Sequence, residues 1–402
     1  MSSAIDNLAL VGEKKLNAPT SSKIEALSSP KFPKRIPELD GLRGLAIAIV
    51  LGYHYISIAI QTPPQGLIGF LFSSTRLFWC GVDLFFVLSG FLIGGILLES
   101  RDSPNYFKTF YIRRFCRIVP IYLLFVSSVG LAYWLIYRPI GARLDWAFAG
   151  TLPWYSYLSF AQNIWMAKFT APGSLVLCIT WSLAVEEQFY LLLPALIRYV
   201  RRSALPHVFL TGIFMAPVVR IFISIHFPEH GAAPYVLLPC RMDSLFLGAL
   251  CSYCLQDPEN WKKFVERRVW MWIALFVLIA GALVMNKSAF ALDTVWLGYD
   301  WIALLFTTLL ILALTNSESF LGRMLRWRWL RELGTIAYGT YLFHYLVYSL
   351  CMAMLTDHGY VLASWKDFGV TLLALGITLT FAKLSWRYFE NPIVRWGHTW
   401  QY

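Results

Sequence analysis

Charge is scarce in this chain. Only 14% of its 402 residues are Asp, Glu, Lys or Arg, while 58% are hydrophobic, and the mean hydropathy is +0.57. A soluble domain carries about 25% charge, and a soluble chain of this length would form two or three such domains. The apolar runs here are too long and too frequent for that organisation. They do not alternate with polar residues, which excludes a transmembrane barrel. No internal repeat and no pair of matching broken helices is visible, which weighs against a transporter built from duplicated halves. Residues 1–35 hold no apolar core of the signal-peptide kind, so the first apolar run is retained as a span. Cysteine is sparse and lies mostly inside apolar runs. Cys251 and Cys254 form a C-x-x-C with no second ligand pair, so they read as small buried hydrophobes rather than a metal site.

What remains is a series of spans. A mostly apolar segment of about 20 residues crosses a hydrocarbon core of about 30 Å. Such segments occur at about 44–62, 77–98, 118–137, 176–197, 206–227, 236–256, 269–286, 297–316, 334–356 and 367–388. Lipid offers no partner to a free backbone group, so each must be helical. The fold class expected is an all-α integral membrane protein of about ten transmembrane helices. Basic residues cluster in every second connection, as at Arg113, Arg114 and Arg117, at Arg198, Arg201 and Arg202, and at Lys262, Lys263, Arg267 and Arg268. This positive-inside pattern puts both termini in the cytoplasm. It also accounts for the net charge of +11 without nucleic acid. Residues 1–35 read as a disordered cytoplasmic tail, 36–393 as the transmembrane domain and 394–402 as a short cytoplasmic tail.

Ionisable residues inside spans are costly and mark function. Arg43 and His54 are eleven helical steps apart, about 20° past three full turns, so they share a face roughly 16 Å apart along the axis. That spacing places Arg43 at the cytoplasmic mouth and His54 near mid-depth. A neutral imidazole can accept a hydroxyl proton near pH 7, and an arginine at the mouth can hold a phosphate. A snorkelling arginine and a structural histidine are the plainer alternatives. Arg114 and Arg117 are neighbours on one helix face. With Arg113 they suit a polyphosphate or, equally, lipid headgroups. Glu186 and Glu187 sit side by side inside the fourth span, about 100° apart. Either can face a cavity and orient His54, or pair with an arginine. Asp83, Arg220, Arg241, Asp243 and His344 complete the set of buried polar residues. Arg241 and Asp243 can pair with each other or across helices, and His344 can be a satisfied structural histidine.

Taken together, these stretches resemble the acyltransferase-3 family of membrane acyltransferases. The motifs run in order: IPELDGLRGLAI (36–47), GVDLFFVLSGFLI (81–93), FYIRRFCRIVP (110–120), TWSLAVEEQFYLLLP (180–194), CRMDSLFLGALC (240–251), LGTIAYGTYLFHYLV (333–347) and SWRYFENP (385–392). The resemblance implies an acyl-CoA donor, acetyl-CoA by default, reached from the cytoplasmic side. It implies a carbohydrate or glycosylated acceptor, a site in the inner (plasma) membrane among its lipids, and no metal. His54 resembles the family's essential histidine, Arg43 its paired arginine, and Arg114 and Arg117 its R-x-x-R. Glu186 matches the glutamate after Trp-Ser, and Asp83 and Ser89 fall in the GVDLFFVLSG stretch. Some relatives add a soluble SGNH-type hydrolase domain. This chain ends ten residues past FENP, so transfer is expected within the membrane domain or with a separate partner for acyl delivery. The expected chemistry is O-acylation with His54 as general base and Glu186 as its orienting carboxylate. A covalent relay through His54 or Ser89 stays open. A polytopic transporter or flippase remains the alternative for ten helices with buried charge.

Overall fold

The computed structural model describes residues 36–60, 72–73, 75–150, 152–285, 288–357 and 359–402. The tail expected at 1–35 and the far end of the first span, 61–62, lie outside the described residues. Among the described residues there is no strand. Ten helices carry the architecture: α1 (Pro37–Gly52), α2 (Gly81–Glu99), α3 (Tyr106–Ala132), α4 (Trp181–Tyr199), α5 (Leu205–His226), α6 (Met242–Leu255), α7 (Arg268–Met285), α8 (Tyr299–Thr315), α9 (Ala337–Leu355) and α10 (Trp365–Ser385).

Seven of the ten belong to helical segments long and apolar enough to cross a membrane, namely those containing α2, α3, α4, α5, α7, α8 and α10. The other three fall short for a shared reason. Helix α1 has 16 residues and carries Glu38, Asp40 and Arg43. Helix α6 has 14 residues. Helix α9 is diluted by Tyr338, Tyr341, Tyr345, Tyr348 and His344. All three are largely buried in the protein, so their outer surfaces meet side chains rather than lipid and need less hydropathy. The converse holds at the rim. Only 11% of the apolar window of α7 is buried against 78% for the segment containing α2, and Phe276 and Val284 stand exposed on α7. An exposed apolar band of that kind is what lipid covers.

Backbone-to-backbone packing holds the centre. A Cβ on Gly90 of α2 would lie 1.9 Å from the Leu245 carbonyl oxygen of α6, and one on Gly248 would lie 2.1 Å from that of Val87. Small residues at such crossings let helices approach where lipid supplies no hydrophobic drive. Gly90→Val is therefore expected to cost at least the ~1–3 kcal/mol of ordinary overpacking, because a carbonyl cannot swing aside as a side chain can. Melting of the purified variant in detergent measures this.

Two buried ionic clusters tie the same helices together. Arg241 bonds Asp83 of α2, and the Asp83 carboxylate also accepts from Ser244 Oγ. Arg220 of α5 bridges Asp243 of α6 at 2.7 Å and Asp300 of α8 at 2.5 Å. Arg241 and Asp243 thus pair across helices, not with each other.

Candidate active site

Helix α1 ends in a π turn, Tyr53–Ser57, that contains His54. Such turns are frequent at functional sites, and this one sets His54 just past the regular turns that carry Arg43. The two residues line different cavities, back to back along the helix.

His54 meets His344 of α9. Nδ1 of His54 lies 3.2 Å from Nε2 of His344 and 3.0 Å from the Val50 carbonyl oxygen. Nδ1 of His344 lies 2.6 Å from the Tyr341 carbonyl oxygen. A carbonyl only accepts, so His344 carries its proton on Nδ1 and offers a lone pair at Nε2. The His54 Nδ1–H then donates to both Val50 and His344, and the neutral tautomer this assigns has its lone pair on Nε2. Glu186, expected beside this imidazole, is not among its hydrogen-bond partners. His344 occupies that place.

The histidine chamber holds about 250 Å³. Its walls are aromatic: Tyr53, Trp79, Trp181, Tyr235, Tyr345 and Tyr360 all contribute. These residues come from the end of α1, the turn before α2, the start of α4, the approach to α6, the middle of α9 and the connection after α9. Helices that alternate in direction bring those positions to one end of the bundle.

At the other end lies a chamber of about 210 Å³. Arg43, Arg114, Arg117, Glu186, Ser89 and Tyr190 line it. Arg43 is 3.2 Å from Asp40, while the Arg117 guanidinium lies 5.0 Å from the Trp386 ring centre. Ser89 is hydrogen-bonded to the Tyr190 hydroxyl, which donates onward to Glu186 Oε2 at 3.5 Å. Glu187 faces a separate lateral pocket with Arg114, Phe115 and Trp396, so the adjacent carboxylates serve neighbouring cavities. Arg113 is engaged elsewhere. Its Nε and Nη2 donate to the Trp400 carbonyl oxygen at 3.1 and 2.5 Å, and its guanidinium covers Tyr402. Asp83, Arg241 and Asp243 stand behind the chamber walls in the ionic clusters.

The end of the chain folds back onto α3 through Arg113 and through Thr109 Oγ1, which donates to the Gln401 carbonyl oxygen at 2.8 Å. Burial first, and then the nearby charges of Arg113, Arg114 and Arg117, push the His398 imidazole below its usual pKa range. In the arginine chamber itself, Arg43, Arg114 and Arg117 outnumber Glu186, the excess of positive charge that an anion site requires. Among the described residues no three His, Cys, Asp or Glu side chains gather as a metal site would need.

Comparison with known proteins bears on what two such chambers do. The family profile described as an acyltransferase domain matches residues 36–387. The chain belongs to the acyltransferase-3 family. Among curated relatives, the protein named O-acetyltransferase OatA of Staphylococcus aureus strain NCTC 8325 / PS 47 is 26% identical over 387 residues, covering 93% of this chain and 59% of the relative. OatA of strains COL and MRSA252 match to the same extent. The chain thus spans about three-fifths of the length of these acyltransferase-3 relatives. No solved structure matches it significantly.

Tertiary structure adds residues to the acyltransferase-3 motifs that sequence reasoning passed over. Ser182 and Tyr190 line the arginine chamber, Tyr345 lines the histidine chamber, and Tyr341 lines both. A signal was present. Tyr338, Tyr341, Tyr345 and Tyr348 recur at three- and four-residue spacing, the period of one helix face, and His344 sits within that run.

Proposed function

We propose that this protein is a multi-pass O-acetyltransferase of the inner (plasma) membrane. In this reading it moves an acetyl group from acetyl-CoA to a hydroxyl of a carbohydrate or glycosylated acceptor. One observation carries it. A histidine with its base nitrogen unprotonated, oriented by a second histidine, lines a chamber that backs onto another holding three arginines. The family membership and the relatives named as O-acetyltransferases support the same reaction.

The donor phosphates bind Arg43, Arg114 and Arg117, whose forked guanidinium groups suit phosphate oxygens. The acceptor occupies the histidine chamber, where aromatic faces and phenol hydroxyls suit a sugar ring. The acceptor oxygen attacks the thioester carbonyl as His54 Nε2 takes its proton. Collapse of the tetrahedral adduct breaks the carbon–sulfur bond, and the leaving thiolate takes the proton back from His54. His344 holds the tautomer throughout and shares the positive charge through its Nε2 lone pair, the part a carboxylate takes in a Ser-His-Asp triad. The basic connections support an arginine chamber facing the cytoplasm, ten spans, and both termini on that side.

Purified protein in nanodiscs, given labelled acetyl-CoA and a crude glycan pool, tests the proposal. Coenzyme A release that needs His54, with label moving to glycan, is the result expected. No acyl-CoA binding by the intact protein refutes it. A second measurement tests the orienting role. His344→Ala is expected to lower turnover about 10²-fold, the low end of general-base effects. His344→Asn recovers part of that loss, because its amide oxygen can accept from His54 Nδ1. Equal turnover in both variants argues against the pairing.

A further inference from the structure

The two chambers touch at one place. Of the described residues that line them, Val82 and Tyr341 are the two that line both. Each is nearly inaccessible from outside, at 7% and 8% exposure, and each is held. The Tyr341 hydroxyl donates to the Ile179 carbonyl oxygen at 2.8 Å and lies 2.6 Å from Ser182 Oγ. Ile179 lines the histidine chamber and Ser182 the arginine chamber, so this phenol is pinned across the boundary. Val82 sits between two fixed neighbours. Gly81 abuts α1, where an added Cβ would lie 3.0 Å from Val50 Cγ2, and the Asp83 carboxylate is bonded to Arg241. Val82 is thus packed between α1 and the Asp83–Arg241 pair, and the Tyr341 ring is held by its hydroxyl, so side-chain size governs what passes.

We propose that Val82 and Tyr341 form the aperture through which the acyl end of the donor reaches His54, and that their bulk restricts the transferred group to short chains. This rests on the donor and acceptor assignment above. Coenzyme A stays on the arginine side, held by its phosphates, the thioester carbonyl faces the histidine chamber, and the acyl chain packs in the gap between the valine methyls and the tyrosine ring. An acetyl group extends one carbon past that carbonyl and a butyryl group three. Each added methylene against a close-fitting apolar wall is worth roughly 10–200-fold in kcat/KM.

Initial rates with acetyl-, propionyl- and butyryl-CoA, measured together with equilibrium binding of coenzyme A, test the aperture. Val82→Ala is expected to raise the butyryl-to-acetyl ratio of kcat/KM at least tenfold. Val82→Leu is expected to lower that ratio and to reduce acetyl kcat, with coenzyme A binding unchanged in both. Tyr341→Phe keeps the ring but removes both hydrogen bonds, and is expected to shift the profile toward longer chains should Val82→Ala fail to fold. A chain-length profile identical in wild type and all folded variants overturns the aperture. Wild-type protein that binds no coenzyme A or consumes no thioester overturns the donor assignment, and the aperture with it. That failure appears before any variant is compared, so the two are distinguishable.

Discussion

Replacing His54 by alanine is expected to lower acetyl transfer by about 10²–10⁴-fold, the usual contribution of a positioned general base, while insertion and coenzyme A binding persist. The separation follows from the two chambers. Arg43, Arg114 and Arg117 surround a different cavity from His54, so loss of the imidazole leaves the phosphate site intact. The backbone tolerates the change as well, because the hydrogen bond lost at the Val50 carbonyl comes from a side chain. The kinetic signature is a fall in kcat with little change in KM for the donor. The double variant Arg114→Ala/Arg117→Ala is expected to give the opposite signature, a raised donor KM, since these residues bind ground state and transition state alike. Thiol release from acetyl-CoA, followed at several donor concentrations, separates the two. A His54→Ala protein with normal turnover ends the proposed mechanism.

The largest effect on stability is expected at Arg241. Its guanidinium is fully buried, bonded to Asp83, and lies 4.3 Å from the Tyr299 ring centre. Arg241→Leu leaves the Asp83 carboxylate buried without its counter-charge, which typically costs 3–5 kcal/mol. The double variant Asp83→Leu/Arg241→Leu is expected to recover much of that loss. Even in the native protein, Asp83 Oδ2 and Arg241 Nε and Nη1 have no hydrogen-bond partner among the described residues, so the pair is an incompletely satisfied one, the kind that apolar substitution replaces well. Melting temperature and monodispersity in detergent of the two variants provide the comparison. A double variant no more stable than the single one would mean that the pair's neighbours, and not the orphaned charge, dominate.

The membrane-spanning character and the helix positions were legible because lipid imposes a one-dimensional rule. Hydropathy over about 20 residues reports exposure to hydrocarbon whatever the neighbours are. In their described residues all ten apolar runs lie mainly on helices, yet α1, α6 and α9 are not long and apolar enough to cross by themselves. Those three are shielded by the rest, and shielding is a property of packing. Arg114 and Arg117 were readable as neighbours on one helix face because their relation is local, one turn of one helix.

Other relations lay beyond a linear reading. The imidazole of His54 is oriented by His344, 290 positions away, and no periodicity links them. Glu186 was assigned to His54 as a carboxylate inside a span, but a place in the span does not fix which cavity a side chain enters, and Glu186 lies among the arginines. Even Arg43 and His54, on a single helix, line different cavities, because about three turns of that helix separate them. Composition and motif order determined that this chain is a helical membrane protein of the acyltransferase-3 kind and which ionisable residues its apolar segments hold. Tertiary structure alone decided which of them meet. Contact depends on how neighbouring helices are rotated and how closely their backbones approach, and glycines such as Gly90 and Gly248 set that distance only in the presence of the helix they face.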